Sequence, residues 1–222
     1  MGSDDLFHKR KERKAASLSR SRARRAPYDR VLIVCEGSKT EPHYLQELID
    51  FYKLNTANID VIGRGSDPQN VAEYAISRSR EDQDYDRIYC VFDQDRHTSY
   101  QATLDKIRQT RLSKKRSLQA ITSVPCFEIW LLLHFTYTTR QFGSGGPDSS
   151  ICAEVITALR RKHLPKYDKG QHNVFRQLEP HLPKAMKNAS QLREYNQTNG
   201  TDHPSTQMDE LVDYLRNLRQ NG

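Results

Sequence analysis

The sequence lacks the features that would place a chain in a membrane, on a secretory route or in a disulfide scaffold. No stretch of its 222 residues approaches the ~20 uninterrupted apolar positions of a membrane-spanning helix. Residues 1–27 contain no apolar segment of the kind that marks a secretory signal, which points to a cytoplasmic protein. The four cysteines form no CxxC pair, so neither a disulfide framework nor a zinc knuckle is expected. Cys35, Cys90 and Cys126 lie in or beside apolar strand ends and read as small core residues rather than nucleophiles. The eight histidines show no HxH or HExxH spacing, which speaks against a zinc hydrolase. Gly37-Ser38-Lys39-Thr40 lacks both the Gly-Lys-Ser/Thr triplet and the earlier glycine of a phosphate-binding P-loop. Hydrophobic residues make up only 36% of the chain, enough for one domain with one core.

What the chain has in excess is charge, and it is unevenly placed. Residues 1–27 carry nine Lys/Arg against three Asp/Glu, a net of +6 out of the total +7, leaving +1 for everything after residue 27. A segment of this composition is expected to be a disordered tail. It serves either as a solubilising leader or as a contact for nucleic acid or ribosome, with Arg22, Arg24 and Arg25 on phosphates.

After Pro27 the pattern changes. Val31-Leu32-Ile33-Val34-Cys35 is a continuous apolar run, as in a strand covered on both faces. A helix follows Glu36-Gly37-Ser38, with Thr40 as its cap, Pro42 in its first turn, and Tyr44, Leu45, Leu48 and Phe51 on one side. Further strands are expected at residues 59–62, 87–92 and 118–124, with helices from the Asp67-Pro68 start to about 80 and from 99 to 112. This alternation predicts an α/β domain with a parallel four-stranded sheet flanked by helices. Beyond Pro125 the chain reads as a helical cover: an apolar helix over 127–135, a glycine-rich loop at 143–147, and helices at 151–162, 173–188 or beyond, and 207–218. Trp130 and a hydrogen-bonded His134 belong to its buried part. The domain therefore runs over 28–220, with a βα core at 28–125 and the cover at 126–220.

Two acidic places fall at the carboxyl ends of predicted strands, the edge where parallel sheets bind ligands. Glu36 follows the first strand, and Asp93 and Asp95 follow the third, two residues apart and able to face the same side. Three carboxylates at one edge repel one another unless a cation lies between them, and hard oxygen donors suit Mg²⁺ or Mn²⁺. An Asp after a strand also serves as a helix cap or turn former; the joint pattern is what points to a metal.

A strand ending in Glu-Gly and a later strand ending in Asp-x-Asp resemble the Toprim fold of topoisomerases, primases and overcoming-lysogenization-type nucleases. More specifically, VLIVCEGSKTEPHY at 31–44, VFDQDRH at 91–97, SVPCFEIWLLLHF at 123–135 and His203-Pro204-Ser205-Thr206 are similar to the RloB-like family, a Toprim-related group linked to phage defence. The resemblance implies a Toprim-like fold, with Glu36 as its glutamate and Asp93 and Asp95 as its acidic pair. Glu128 then stands either as a further metal ligand or as a buried structural acid, and Glu41 reads as a first-turn helix acid within reach of the ligands. Arg96 or His97, with Arg96 favoured, would stabilise the transition state. Lys39 contacts phosphate or lies free on the surface, and Lys166-Tyr167-Asp168-Lys169 either holds a nucleic-acid backbone or links two helices. The function implied is a Mg²⁺-dependent nuclease subunit, restrained by an ABC- or AAA-type ATPase. The alternative is a non-catalytic nucleic-acid-binding or regulatory component.

Overall fold

The computed structural model describes residues 28–94, 98–113, 115–143 and 150–218. Asp95, Arg96, His97, the tail with Arg22, Arg24 and Arg25, and the 143–147 loop past Gly143 lie outside the described residues.

Strand β1 (Val31–Cys35) is buried at all five positions. It pairs in parallel with β2 (Ile59–Gly63) on one side and β3 (Arg87–Asp93) on the other. Central position and helices on both faces leave it no solvent side, which is why its sequence is apolar without alternation. β4 (Ser117–Val124) continues the parallel sheet beyond β3. The four-stranded sheet expected from the sequence is extended by β5 (Ser205–Thr206), which runs antiparallel to the end of β4, so the order is β2-β1-β3-β4-β5. Two residues are too short to carry a periodic signal, and only the approach of a distant segment makes them a strand.

Three helices connect the parallel strands: α1 (Thr40–Phe51), α2 (Pro68–Glu81) and α3 (Tyr100–Gln109). Asp67 caps α2 as expected, its side chain accepting from the Asn70 amide at 2.9 Å with Pro68 in the first turn. Thr40 does not cap α1. Lys39 holds that position without a side-chain bond, and the Thr40 hydroxyl accepts instead from the Gly170 amide at 3.0 Å. Phe51, expected on the buried side of α1, is 39% exposed. α3 stops three residues before Leu112 because Thr110 turns extended.

The sheet divides the core into two layers rather than the single one expected. Leu32, Val34, Ile88, Cys90 and Phe92 pack on α2 and α3. The alternate residues Val31, Ile33, Cys35, Tyr89 and Val91 face α1 and the helical second half, as the two-residue period of a strand requires. That half comprises α4 (Glu128–Leu133), α5 (Ile151–Lys162), α6 (Val174–Leu178), α7 (Leu182–Asn199) and α8 (Met208–Asn217). The helix expected from 173 onward is broken by a 3-10 turn at Glu179–His181, where Pro180 cannot continue an α-helical hydrogen-bond ladder. Every residue of α4 is buried. Trp130 Nε1 donates to the Tyr44 hydroxyl at 2.8 Å, and His134 Nδ1 lies 2.9 Å from the Trp130 carbonyl. Burial pulls the His134 pKa down to about 4, so it is a neutral core histidine, as read from the sequence.

One expectation about the cysteines is overturned. Cys126 and Cys152, 26 residues apart, are joined by a disulfide, whereas Cys35 and Cys90 are free and buried. No CxxC spacing announces this pair; the packing of α4 on α5 brings it together. Among the described residues, no helix is long and apolar enough to cross a membrane.

Candidate functional site

Because β2 and β3 flank β1 on opposite sides, the chain leaves the carboxyl ends of β1 and β3 in divergent directions and opens a crevice between them. Glu36 follows β1 directly, and Asp93 is the last residue of β3. Two hydrogen bonds fix them side by side. The Glu36 amide donates to the Val91 carbonyl at 2.8 Å, and the Asp93 amide donates to Glu36 Oε2 at 3.0 Å. From the next strand, the turn after β4 brings in the Phe127 amide, which donates to the Asp93 carboxylate, and then Glu128, the first residue of α4. Glu41 enters from the first turn of α1, only 6% exposed, with its carboxylate laid over the α-carbon of Gly37. A side chain at residue 37 would overlap that carboxylate and push it aside, so the glycine leaves Glu41 its place.

These four acids line one cavity of about 330 Å³, with Lys39 and Lys169 at its rim. Their charges are only partly offset. Burial, followed by repulsion from Glu128 and Glu36, moves the Glu41 pKa from 4.5 to about 7, against the opposing effects of its own amide and Lys169. Burial and the nearby Glu41, Glu128 and Glu36 push Asp93 well above the usual carboxylate range, despite the Phe127 amide. Glu128 is 1% exposed and heavily engaged: Tyr167 Oη donates to Oε1 at 3.0 Å, Lys169 Nζ stands 3.6 Å from Oε1, and Sγ of Cys152 lies 2.9 Å from Oε2. Burial and Glu128 push the Tyr167 phenol upward, so it remains a proton donor. Among the described residues, the carboxylate or sulfur atoms gathered three together within 4.8 Å of one another are those of Cys126, Glu128 and Cys152, two of them joined in the disulfide. Among the described residues, no three of the cavity carboxylates bring oxygens within 4.8 Å of one another.

The segment carrying Tyr167 and Lys169 is pinned to α1. His43 Nδ1 lies 2.9 Å from the Gly170 carbonyl, and Glu47 accepts from the amides of Asn173 and Phe175. Gly170 adopts a positive φ of +75°, and a Cβ there would come within 2.9 Å of the Lys39 Cβ. The Lys39 side chain thereby packs against Gly170, next to Lys169 in the chain.

The family model of RloB-like proteins matches residues 31–215. The chain belongs to the RloB-like family. No curated protein and no solved structure matches it significantly. In this RloB-like chain the matched span takes in the whole cavity, from Glu36 to Gly170, and leaves residues 1–27 outside. Of the residues singled out in the sequence, the structure brings together Glu36, Asp93, Glu128, Lys39 and Lys169. Lys166 is exposed and lines a different hollow, with His163 and Gln177. Asp95 and Arg96 fall outside the described residues. His203 does not line the cavity; its Nε2 accepts from the Phe142 amide at 3.2 Å. Sequence reasoning underrated Glu41. The only local signal for it was Gly37 four residues earlier, whose missing side chain makes the room.

Proposed function

We propose that this RloB-like protein is a Toprim-type nuclease subunit that hydrolyses phosphodiester bonds in DNA or RNA with Mg²⁺ or Mn²⁺, within an anti-phage defence system. The observation that carries the reading is the convergence of Glu36, Glu41, Asp93 and Glu128 on one cavity at the β1/β3 switch point, where burial and mutual repulsion raise Glu41 and Asp93 above the usual carboxylate range. Carboxylates driven to keep their protons are a donor set short of positive charge. Mg²⁺ binds through one or two direct carboxylates and keeps several waters, which suits a site where no three carboxylates gather within 4.8 Å. Glu36, Asp93 and Glu128, with Asp95 just beyond β3, would hold the ion. When bound, it supplies an acidified water and polarises the phosphate oxygens. Around it, Lys39 and Lys169 offset phosphate charge at the rim, and Tyr167 orients Glu128. Glu41, with its pKa near 7, is suited to hold or pass a proton at neutral pH. Arg96 is proposed to stabilise the transition state. An ATPase partner is proposed to control the activity, the chain alone cleaving little, since an uncontrolled nuclease harms its host.

A second reading, a non-catalytic nucleic-acid-binding or regulatory component, is favoured by one observation: Glu128 is already hydrogen-bonded to Tyr167 and ties α4 to the segment after α5. Asp93→Asn and Glu36→Gln separate the two. On the nuclease reading, both lose at least about a hundredfold in cleavage, measured in cells or with the partner present. Without metal, their melting temperatures hold or rise because like-charge repulsion is relieved, and Mn²⁺ stabilises the wild type more than either mutant. Full activity in both mutants would end the nuclease reading and leave the second.

A further inference from the structure

Cys126 lies two residues before Glu128 in the turn between β4 and α4, and Cys152 lies in the first turn of α5, with a Cα–Cα separation of 5.8 Å. The donor atoms of the two cysteines and Glu128 all fall within 4.8 Å of one another. A sulfur pair is thus in direct contact with an acid that also lines the cavity. We propose that Cys126 and Cys152 are a reversible dithiol–disulfide pair, a redox-modification site that sets the cation affinity of the cavity through Glu128. This rests on the metal reading of that cavity.

The argument turns on which partners Glu128 has in each state. Tyr167 and Lys169 both address Oε1, at 3.0 and 3.6 Å. Oε2 faces Cys152 Sγ at 2.9 Å. As a thiol, Cys152 donates its proton to Oε2, and both carboxylate oxygens are then occupied. As a disulfide, the same sulfur has no proton to give, and Oε2 is left without that donor and free to turn toward a cation. The bond also ties the start of α4 to α5, which fixes the backbone that carries Glu128. Oxidation therefore favours cation binding and reduction opposes it.

The exchange balances with a small disulfide such as glutathione disulfide as oxidant. Cys152, 9% exposed against 3% for Cys126, is the sulfur that the oxidant meets first. Its thiolate attacks one glutathione sulfur, breaks the glutathione disulfide and releases one glutathione thiolate, which takes up a proton. The Cys126 thiolate then attacks Cys152 Sγ in the mixed disulfide and expels the second glutathione. Two protons and two electrons leave the protein, and one disulfide becomes two thiols. Cys35 and Cys90 stay out of this chemistry: both are fully buried, and burial pushes both thiols upward, Cys90 to about 12.

The test uses the full chain equilibrated in glutathione buffers from fully reduced to fully oxidised. Thiols are counted by alkylation and mass spectrometry, and Mn²⁺ binding is measured by the paramagnetic resonance of the free ion. Alkylation should find four thiols in the reduced protein and two, Cys35 and Cys90, in the oxidised one. Mn²⁺ should bind about fivefold more tightly to the oxidised form, the size of one net hydrogen bond. Cys152→Ala, with neither donor nor disulfide, should bind like the oxidised protein in every buffer. Cys152→Ser, which keeps a donor, should bind like the reduced one. Equal Mn²⁺ affinity in both states, or a thiol count that glutathione does not change, overturns the proposal and leaves the metal reading standing. Mn²⁺ bound in neither state overturns both.

Discussion

Glu41 is the residue whose chemistry departs furthest from its local setting. In the first turn of α1 an acid is ordinarily stabilised in its charged form by the helix dipole. Here burial and two neighbouring carboxylates reverse that preference and move its pKa from 4.5 to about 7. The folded protein therefore binds a proton that the unfolded chain releases anywhere between those values. The resulting stability is fully present below pH 4.5 and is lost as pH rises through about 7. The shift corresponds to about 3 kcal/mol. In the presence of a chelator, the melting temperature should fall steadily from pH 5 to pH 8. Glu41→Gln should flatten that slope and raise the melting temperature at pH 8. Mn²⁺ should restore most of the wild-type loss, because the ion replaces the proton as counter-charge. A wild-type melting temperature independent of pH over this range would show that Glu41 is ionised throughout.

At the scale of elements, the cavity depends on α1 being clasped by the segment that follows α5. Thr40, His43 and Glu47 lie along one side of α1, and all three engage that segment's backbone. Gly170→Ala forces a side chain into a left-handed turn and against the Lys39 side chain, and should cost about 1–2 kcal/mol by denaturant unfolding. It should also weaken nucleic-acid binding more than Lys166→Ala does, because Lys39 packs on this glycine and Lys169 adjoins it, both lining the acidic cavity, while Lys166 lines another hollow. This clasp could not be read from sequence. The side chains of α1 carry a clear period, but their bonds go to residues 170–175, more than 120 positions away, and no local pattern records such a partner. The same holds for β5, whose two residues become a strand only beside β4, and for the Cys126–Cys152 bond. What was legible rests on local physics: the unbroken apolar run of β1, the Asp67-Pro68 start of α2, and acids placed directly after strands. Glu36 and Asp93 were found because the order of strands and helices alone determines which strand ends come together.

For the molecule as a whole, charge and chemistry are kept apart. The net +6 of residues 1–27 lies outside the span shared with the family, while the acids lie within it. Deleting residues 1–27 should leave the melting temperature within about 1 °C and lower the slope of log affinity against log salt for nucleic acid. An unchanged slope would make the segment a leader without a binding role. On the proposed reading, the isolated chain should cleave little, and addition of the ATPase partner should raise the rate; vigorous cleavage by the purified chain alone would count against this dependence. The division of the core by the sheet also bears on how the chain is made. All four cavity acids lie within the first 128 residues, and β1 to β4 are complete by Val124. The side of the sheet holding Val31, Ile33 and Val91 is closed by Met208, Leu211 and Leu215 of α8. During synthesis at roughly 5–20 residues per second, the acids therefore emerge several seconds before the helices that seal the sheet behind them and before Lys169 reaches the rim. A chain that ends between residues 130 and 165 holds all four acids but none of the α8 residues that cover this face of the sheet.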